Sequence, residues 1–264
     1  MPSVSNVAVG GLIAGAAASK ARHGMNESIA RLSTGMRSMY GGDAAGQSVA
    51  NTLEARSKSW AVAARNAEDG ISAAQTAESA LLEIAALAQR LRELGIQADN
   101  ADLHQAASDT AALNAEAAAI GTAIDAIVAS STFNGKTLLD TSSKTFNIGV
   151  TDAGANVTLT TTEGVSAATR TVAAGADGSA DTTLSEVAKS LGHIAAGISA
   201  LKARQAVAYS ASANLSAAAS RIEDTDFAKE SANLAKYSVL NQSAMAMVAQ
   251  ANQAQSAILT ILQQ

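Results

Sequence analysis

"LHQAASDTAALNAEAAAIGTAIDAIVAS", Leu103–Ser130, is the stretch on which the fold turns. Its apolar or small residues fall at Leu103, Ala106, Thr110, Leu113, Ala117, Ile120, Ile124 and Ile127, in alternating steps of three and four. That is the spacing of a heptad seam, in which one stripe of a helix is buried against a partner helix. A second seam starts at Leu184 and runs through Val187, Leu191, Ile194, Ile198 and Leu201, continuing past Ala208 to Leu215, Ala219 and Ile222. A third segment, from Ala44 to Leu94, has only Gly46 and Gly70 as weak points and is regular at Ile84, Leu87, Leu91 and Leu94. Three such segments predict a mainly α fold of long antiparallel helices with coiled-coil packing.

The composition agrees. Aromatic residues make up only 3% of the 264, the one proline is Pro2, and alanine is the commonest residue. Alanine costs least in a helix and lets backbones approach closely, so long tightly packed helices are favoured over a mixed compact fold. The absence of cysteine excludes disulfides, thiolate nucleophiles and thiolate metal ligands. A net charge of −5 is the opposite of a nucleic-acid footprint. No basic segment precedes the apolar stretch from Val7 to Ala18, and that stretch is too short to cross a bilayer. Neither a cleaved secretory signal nor a membrane partner is therefore expected.

From Ser130 to Thr183 the helical period breaks. Phe133, Asn134, Gly135 and Lys136 read as a turn, after which "TFNIGV" and "VTLT" read as two short strands joined by "TDAGAN". A small β-hairpin region is expected there. The Thr-, Ala- and Gly-rich stretch 160–183 reads as a loop or a short extension of the hairpin.

Charge placement sets the two ends apart. Every charged side chain lies between Lys20 and Lys236, yet both neutral ends keep a helical pattern. Near the C-terminus two neighbouring seams run in parallel: Ala244, Met247, Ala251, Ala254, Ile258 and Ile261 beside Met245, Val248, Asn252, Gln255, Leu259 and Leu262. A helix with two adjacent seams has a wide apolar face. Near the N-terminus Gly11 and Gly15 have the G-x-x-x-G spacing that permits close helix approach. One partner helix covers only one face, so ordering these ends costs an isolated chain more than their burial returns. Both ends are expected to be mobile in the monomer and helical once several copies surround them. Gly11, Gly15, Met245, Val248, Ile258, Leu259 and Leu262 are the candidate contacts of that inner core.

No catalytic constellation stands out. His23, His104 and His193 are isolated, with no second ligand at metal spacing and no H-E-x-x-H, and no G-x-S-x-G elbow occurs. Carboxylate pairs such as Glu68 with Asp69 and Glu223 with Asp224 read as solvated helix faces or caps. No enzyme activity, catalytic residue, cofactor or metal is expected.

Several stretches resemble bacterial flagellins of the short kind that lack large outer domains. They are "SIARLSTGMRSMYGGDAAGQSVAN", "ARNAEDGISAAQTAESALLEI", "QRLRELGIQADN", "STFNGKTLLD" and "ASRIEDTDFAKESANLAKYSVLNQSAMAMVAQANQ". The resemblance implies a structural subunit that polymerises into the extracellular flagellar filament for swimming, exported without a cleaved signal peptide. It implies a division into 1–43, the N-terminal part of an inner coiled-coil domain; 44–143, rod helices; 144–183, hairpin and loop; 184–224, the returning rod helix; and 225–264, the C-terminal part of the inner domain. The implied partners are further copies of the chain, an export chaperone, the filament cap, hook-junction proteins and a host Toll-like receptor. For the receptor, or for a subunit-packing face in its place, the matching residues are Gln89, Arg90, Leu94 and Glu116, with Arg90 and Leu94 read as sharing one helical face. The alternative is a hook–filament junction protein, which shares the N-terminal signature and helical rod but assembles as a short ring; growth of purified subunits into micrometre filaments separates the two readings.

Overall fold

A computed structural model describes residues 3–37, 42–100, 107–165 and 175–262, the side chains of 3–8, 259, 261 and 262 excepted. The order is α1 (Ser3–Thr34), α2 (Ala44–Ala98), α3 (Ala107–Ser130), β1 (Thr132–Phe133), β2 (Lys136–Thr137), β3 (Ser143–Gly149), β4 (Asn156–Glu163), α4 (Ala176–Glu223) and α5 (Phe227–Leu262). These form two compact units, one of 55–214 and one of 1–54 with 215–264. The expected mainly α architecture with a small β region is what the chain adopts.

The 55–214 unit has a core of large side chains. Leu81, Ile84, Leu91, Leu94, Ile124, Leu138, Leu139, Leu159, Ile194 and Leu201 are all buried to within 2% of full burial. On α3 the buried stripe is Leu113, Ala117, Ile120, Ile124 and Val128. Thr110, expected in the seam, is exposed, Ile127 is only half-buried, and Leu103 and Ala106 lie outside the described residues. On α2 the buried stripe passes through Ala88, with Leu87 half-buried beside it.

On α4 the stripe is rotated toward small residues. Thr183, Val187, Ser190, Ile194, Gly197 and Leu201 are buried, with Leu184, Leu191 and Ile198 half-buried at the edge. The cause is the hairpin lying on this helix. A Cβ on Gly197 would stand 2.6 Å from Leu159 Cδ1, and the Ser190 hydroxyl accepts the Glu163 amide at 3.0 Å. Gly70, read from sequence as a weak point, has the same use: a Cβ there would collide with Ile148 of β3 and stand 3.1 Å from Leu201 Cδ1. Both glycines are close-approach sites, and their helix cost of about 1 kcal/mol each is the cost of seating the hairpin.

The β region comprises two antiparallel pairs. Asn134 (φ 47°) and Gly135 (φ 73°) make the two-residue turn between β1 and β2, both in the left-handed region that this tight hairpin requires. β3 pairs with β4 from Ser143 opposite Glu163 to Gly149 opposite Asn156, with an irregularity at Lys144/Thr145. Helix α4 begins at Ala176, eight residues before the apolar seam that marks it in sequence. Ala176 and Ala180 are fully buried, and a Cβ on Gly95 of α2 would collide with the Asp177 backbone, so tertiary packing of small residues starts this helix.

Candidate assembly surface and its joint

In the 1–54/215–264 unit α1 and α5 pack antiparallel: Ser28 meets Glu230, Gly24 meets Tyr237, and Gly11 lies over Ala251. The buried apolar residues described here are Ala14, Ala18, Ala21, Ala50, Ala219 and Ala244, all alanine. Many large apolar side chains stay outside. Leu12 is 74% exposed, Ile13 65%, Val239 61% and Met247 59%, with Val9, Leu240 and Met245 close to half exposed. Thin helices touching along small residues leave their bulky groups in water, the reverse of a self-sufficient pair.

Local chemistry at the foot of the pair is specific. Helix α1 stops at Gly35, whose φ of 73° is the left-handed cap and whose amide donates to Arg31 O at 2.8 Å. The chain then forms a short antiparallel bridge, Met36 opposite Asp224, in which the Arg37 amide donates to Glu223 O (2.7 Å) and the Thr225 amide to Gly35 O (2.8 Å). The Arg37 guanidinium donates to the Ile222 carbonyl (3.0 Å) at the end of α4 and to Asp43 Oδ2 (2.8 Å). Asp43 Oδ1 accepts the Gly46 amide at 2.8 Å, so Asp43 is the N-cap of α2. That bond first, and Arg37 with it, holds the Asp43 carboxyl below the ordinary aspartate value of 3.8. Asp226 caps α5 in the same way, Oδ1 accepting the Ala228 and Lys229 amides at 3.0 and 3.1 Å. The stretches "LSTGMR", "DAAG" and "RIEDTD" are thus parts of one joint, which explains a helix break at Asp224–Asp226 without glycine or proline.

One carboxylate is buried in this pair. Glu230, 7% exposed, accepts the Ser28 hydroxyl at 2.7 Å, with Arg31 NH1 at 3.7 Å and Asn233 Nδ2 at 3.4 Å. Sequence reasoning missed it, although an acidic residue four after the Asp226 cap is a signal of a charge-complemented helix start.

The inner-core candidates divide. Gly11 touches Ala251 at 3.7 Å within the chain, whereas a Cβ on Gly15 would meet nothing within 4 Å. Met245 is 46% exposed and its sulfur accepts Arg22 NH2 at 3.2 Å. Val248 and Ile258 are half-buried. The side chains of Leu259 and Leu262 lie outside the described residues.

On the 55–214 unit, Arg90 and Glu116 come together as the spacing alone does not reveal. Arg90 Nε and NH2 both donate to Glu116 Oε1, at 2.9 and 2.7 Å, and NH1 donates to Glu93 at 2.9 Å. Gln89 beside it is exposed. Leu94 is not on this face, contrary to the sequence reading. It is fully buried, because positions four apart are offset by about 40° around a helix, which here carries Leu94 into the seam with Leu91 while Arg90 stays on the rim. His193 pairs with Glu163 at 3.1 Å and His23 with Glu27 at 3.3 Å; His104 lies outside the described residues. Among the described residues no group of three metal-capable side chains gathers.

Two family models match this chain: the N-terminal helical region of bacterial flagellin over residues 8–144, and the C-terminal helical region over 176–262. The chain belongs to the bacterial flagellin family. The flagellin of Halalkalibacterium halodurans is 35% identical over 249 residues, covering 89% of this chain and 91% of that one. The flagellin of Bacillus subtilis is 33% identical over 279 aligned positions, covering 89% and 92%. A crystal structure of Bacillus cereus flagellin is similar at a TM-score of 0.39 and 23% identity, over 57% of this chain and 88% of that one. Flagellins are structural proteins that polymerise into the extracellular flagellar filament, and this chain is a filament subunit. The joint built from Gly35, Arg37, Asp43, Glu223 and Asp226 lies inside the two matched regions, so the family signatures at opposite ends of the sequence are one piece of structure.

Proposed function

We propose that this subunit polymerises by burying its α1/α5 pair, helical and paired in the single chain, among neighbouring copies. The observation that carries the reading is the inverted pattern of the 1–54/215–264 unit: alanine inside, Leu12, Ile13, Val239, Leu240 and Met247 outside. Segments 1–43 and 225–264 then act as the inner coiled-coil domain, 44–143 and 184–224 as the rod, and 144–183 as its hairpin and loop. Gly15, whose backbone is open to approach, and Met245, Val248, Ile258, Leu259 and Leu262 belong to the inner contacts.

A chain with such ends needs them covered before it is added. Export as an unfolded chain without a cleaved signal peptide, delivery by an export chaperone, addition under the filament cap and a start on the hook-junction proteins follow from that need. The exposed cluster of Gln89, Arg90 and Glu116 is a subunit-packing face or, in its place, a face for a host Toll-like receptor, with Leu94 buried in the seam on the same helix as Arg90. Electron microscopy of purified protein tests the main reading. Micrometre filaments are the expected outcome, and short rings or soluble monomer at all concentrations overturn it. For the receptor, a reporter assay on purified monomer must give a response that falls on Arg90→Ala.

A further inference from the structure

Gly24 lies mid-helix in α1 with an ordinary φ, and of the four glycines inside that helix it is the one at which an added Cβ would clash. A Cβ placed there would stand 2.6 Å from both Cε1 and Cζ of Tyr237 and 2.8 Å from Cε2. The ring of Tyr237 therefore rests on the bare backbone of α1. Rotation about the ring axis cannot relieve such a Cβ, because Cζ lies on that axis; the ring must swing at χ1 or the two helices must move apart. Along the same face the Glu230 carboxylate is seated on Ser28 at 2.7 Å with Arg31 alongside.

These contacts matter because the buried apolar part of the pair is alanine. A seam of Ala14, Ala18, Ala21 and Ala244 packs almost equally well if α5 slides by one turn, since alanine presents the same small knob at every step. We infer that Tyr237 seated on Gly24 is the key that fixes the register of α1 against α5, with Ser28 and Glu230 as the polar stop, and so selects the one arrangement of the inner helices that a growing filament accepts. The inference rests on the filament reading for its last clause; the register itself stands on the contacts. A slip of one turn would put the ring over Lys20 or Ser28, neither of which offers bare backbone, and would move Glu230 off its hydroxyl donor.

The chain supplies its own ruler. A Cβ on Gly11 would lie 3.7 Å from Ala251 Cβ, within the separation a disulfide spans, and no native cysteine interferes. In full-length Gly11→Cys/Ala251→Cys protein, oxidation with diamide should form the intramolecular disulfide, read by mass spectrometry. Gly24→Ala in the cysteine-free chain should stop filament growth, and added to the cysteine pair it should lower the disulfide yield at fixed time at least tenfold. Adding Tyr237→Leu to that variant, which removes the overlapping ring atoms and keeps an apolar side chain, should restore the yield to within about twofold of the parent. Gly24→Ala protein that cross-links like the parent, or a Tyr237→Leu change that fails to rescue it, overturns the key. Protein without the cysteine pair that never forms filaments sinks the filament reading, and leaves the key standing if the cysteine variant cross-links in register.

Discussion

The two units of this chain are both built of long alanine-rich helices, yet they place bulk oppositely. In 55–214 leucine and isoleucine fill the seams, and the surface keeps ion pairs such as Arg90 with Glu116 and Arg92 with Asp181. In 1–54/215–264 alanine fills the seam, and leucine, isoleucine, valine and methionine face outward. Burial of large apolar groups stabilises a unit by itself, at about 1.5–3 kcal/mol per side chain. The first unit thus carries its large apolar burial within itself, whereas the second leaves much of its own exposed.

The strongest way to break this contrast is to end the chain at Lys236. Filaments should then be lost altogether in sedimentation and microscopy, while the main thermal transition by circular dichroism stays within a few degrees. A collapse of that transition would mean the 55–214 unit depends on the tail. Next in size is Leu94→Ala, which empties a fully buried site. It should destabilise the 55–214 unit by about 2–5 kcal/mol in urea melts, as a core truncation does and a surface change does not. Leu12→Ser, at a site 74% exposed, should move the same melt by less than about 0.5 kcal/mol and instead raise the concentration needed for assembly.

Smaller effects sharpen the joint. Asp226→Ala removes the cap of α5 and should weaken that helix by about 1 kcal/mol, seen as faster amide exchange at Ala228 and Lys229. Asp43 and Asp140 are both held below the ordinary aspartate value of 3.8, the first by the Gly46 amide and the second by the Thr141 and then the Ser142 amide. A carboxyl with a lowered folded pKa contributes stability above its unfolded value and loses it as pH falls through the folded one. Carboxyl chemical shifts for these two residues should therefore titrate below 3.8, with their contribution fading only under acid; midpoints at or above that value would remove these carboxylate–amide bonds from the account. The smallest change expected is from Arg90→Ala, whose exposed ion pairs should alter the melting temperature little.

Long heptad periodicity made the rod legible, because a seam of Leu, Ile and Val reports burial directly. Asn134-Gly135 announced its own turn for an equally local reason, the need for two residues in the left-handed region. Elements whose signal lies in small residues were harder to read. The start of α4 at Ala176, the rotation of its buried stripe to Thr183, Ser190 and Gly197, and the close-approach role of Gly70 depend on what packs on them. Leu94 illustrates the same limit at the candidate site: its spacing from Arg90 is compatible with a shared face, and only the neighbouring helices place it in the core.

By itself, then, the chain's order of residues determined the helices, the neutral ends and the family, since periodicity, charge placement and capping motifs are properties of contiguous sequence. Tertiary structure alone decided that the three distant capping motifs form one joint, that Glu230 is buried beside Ser28, that Tyr237 rests on Gly24, and which face of each tail is left bare. The reason is physical: a helix pattern states which residues share a side, but the side that is covered depends on how closely another backbone can come.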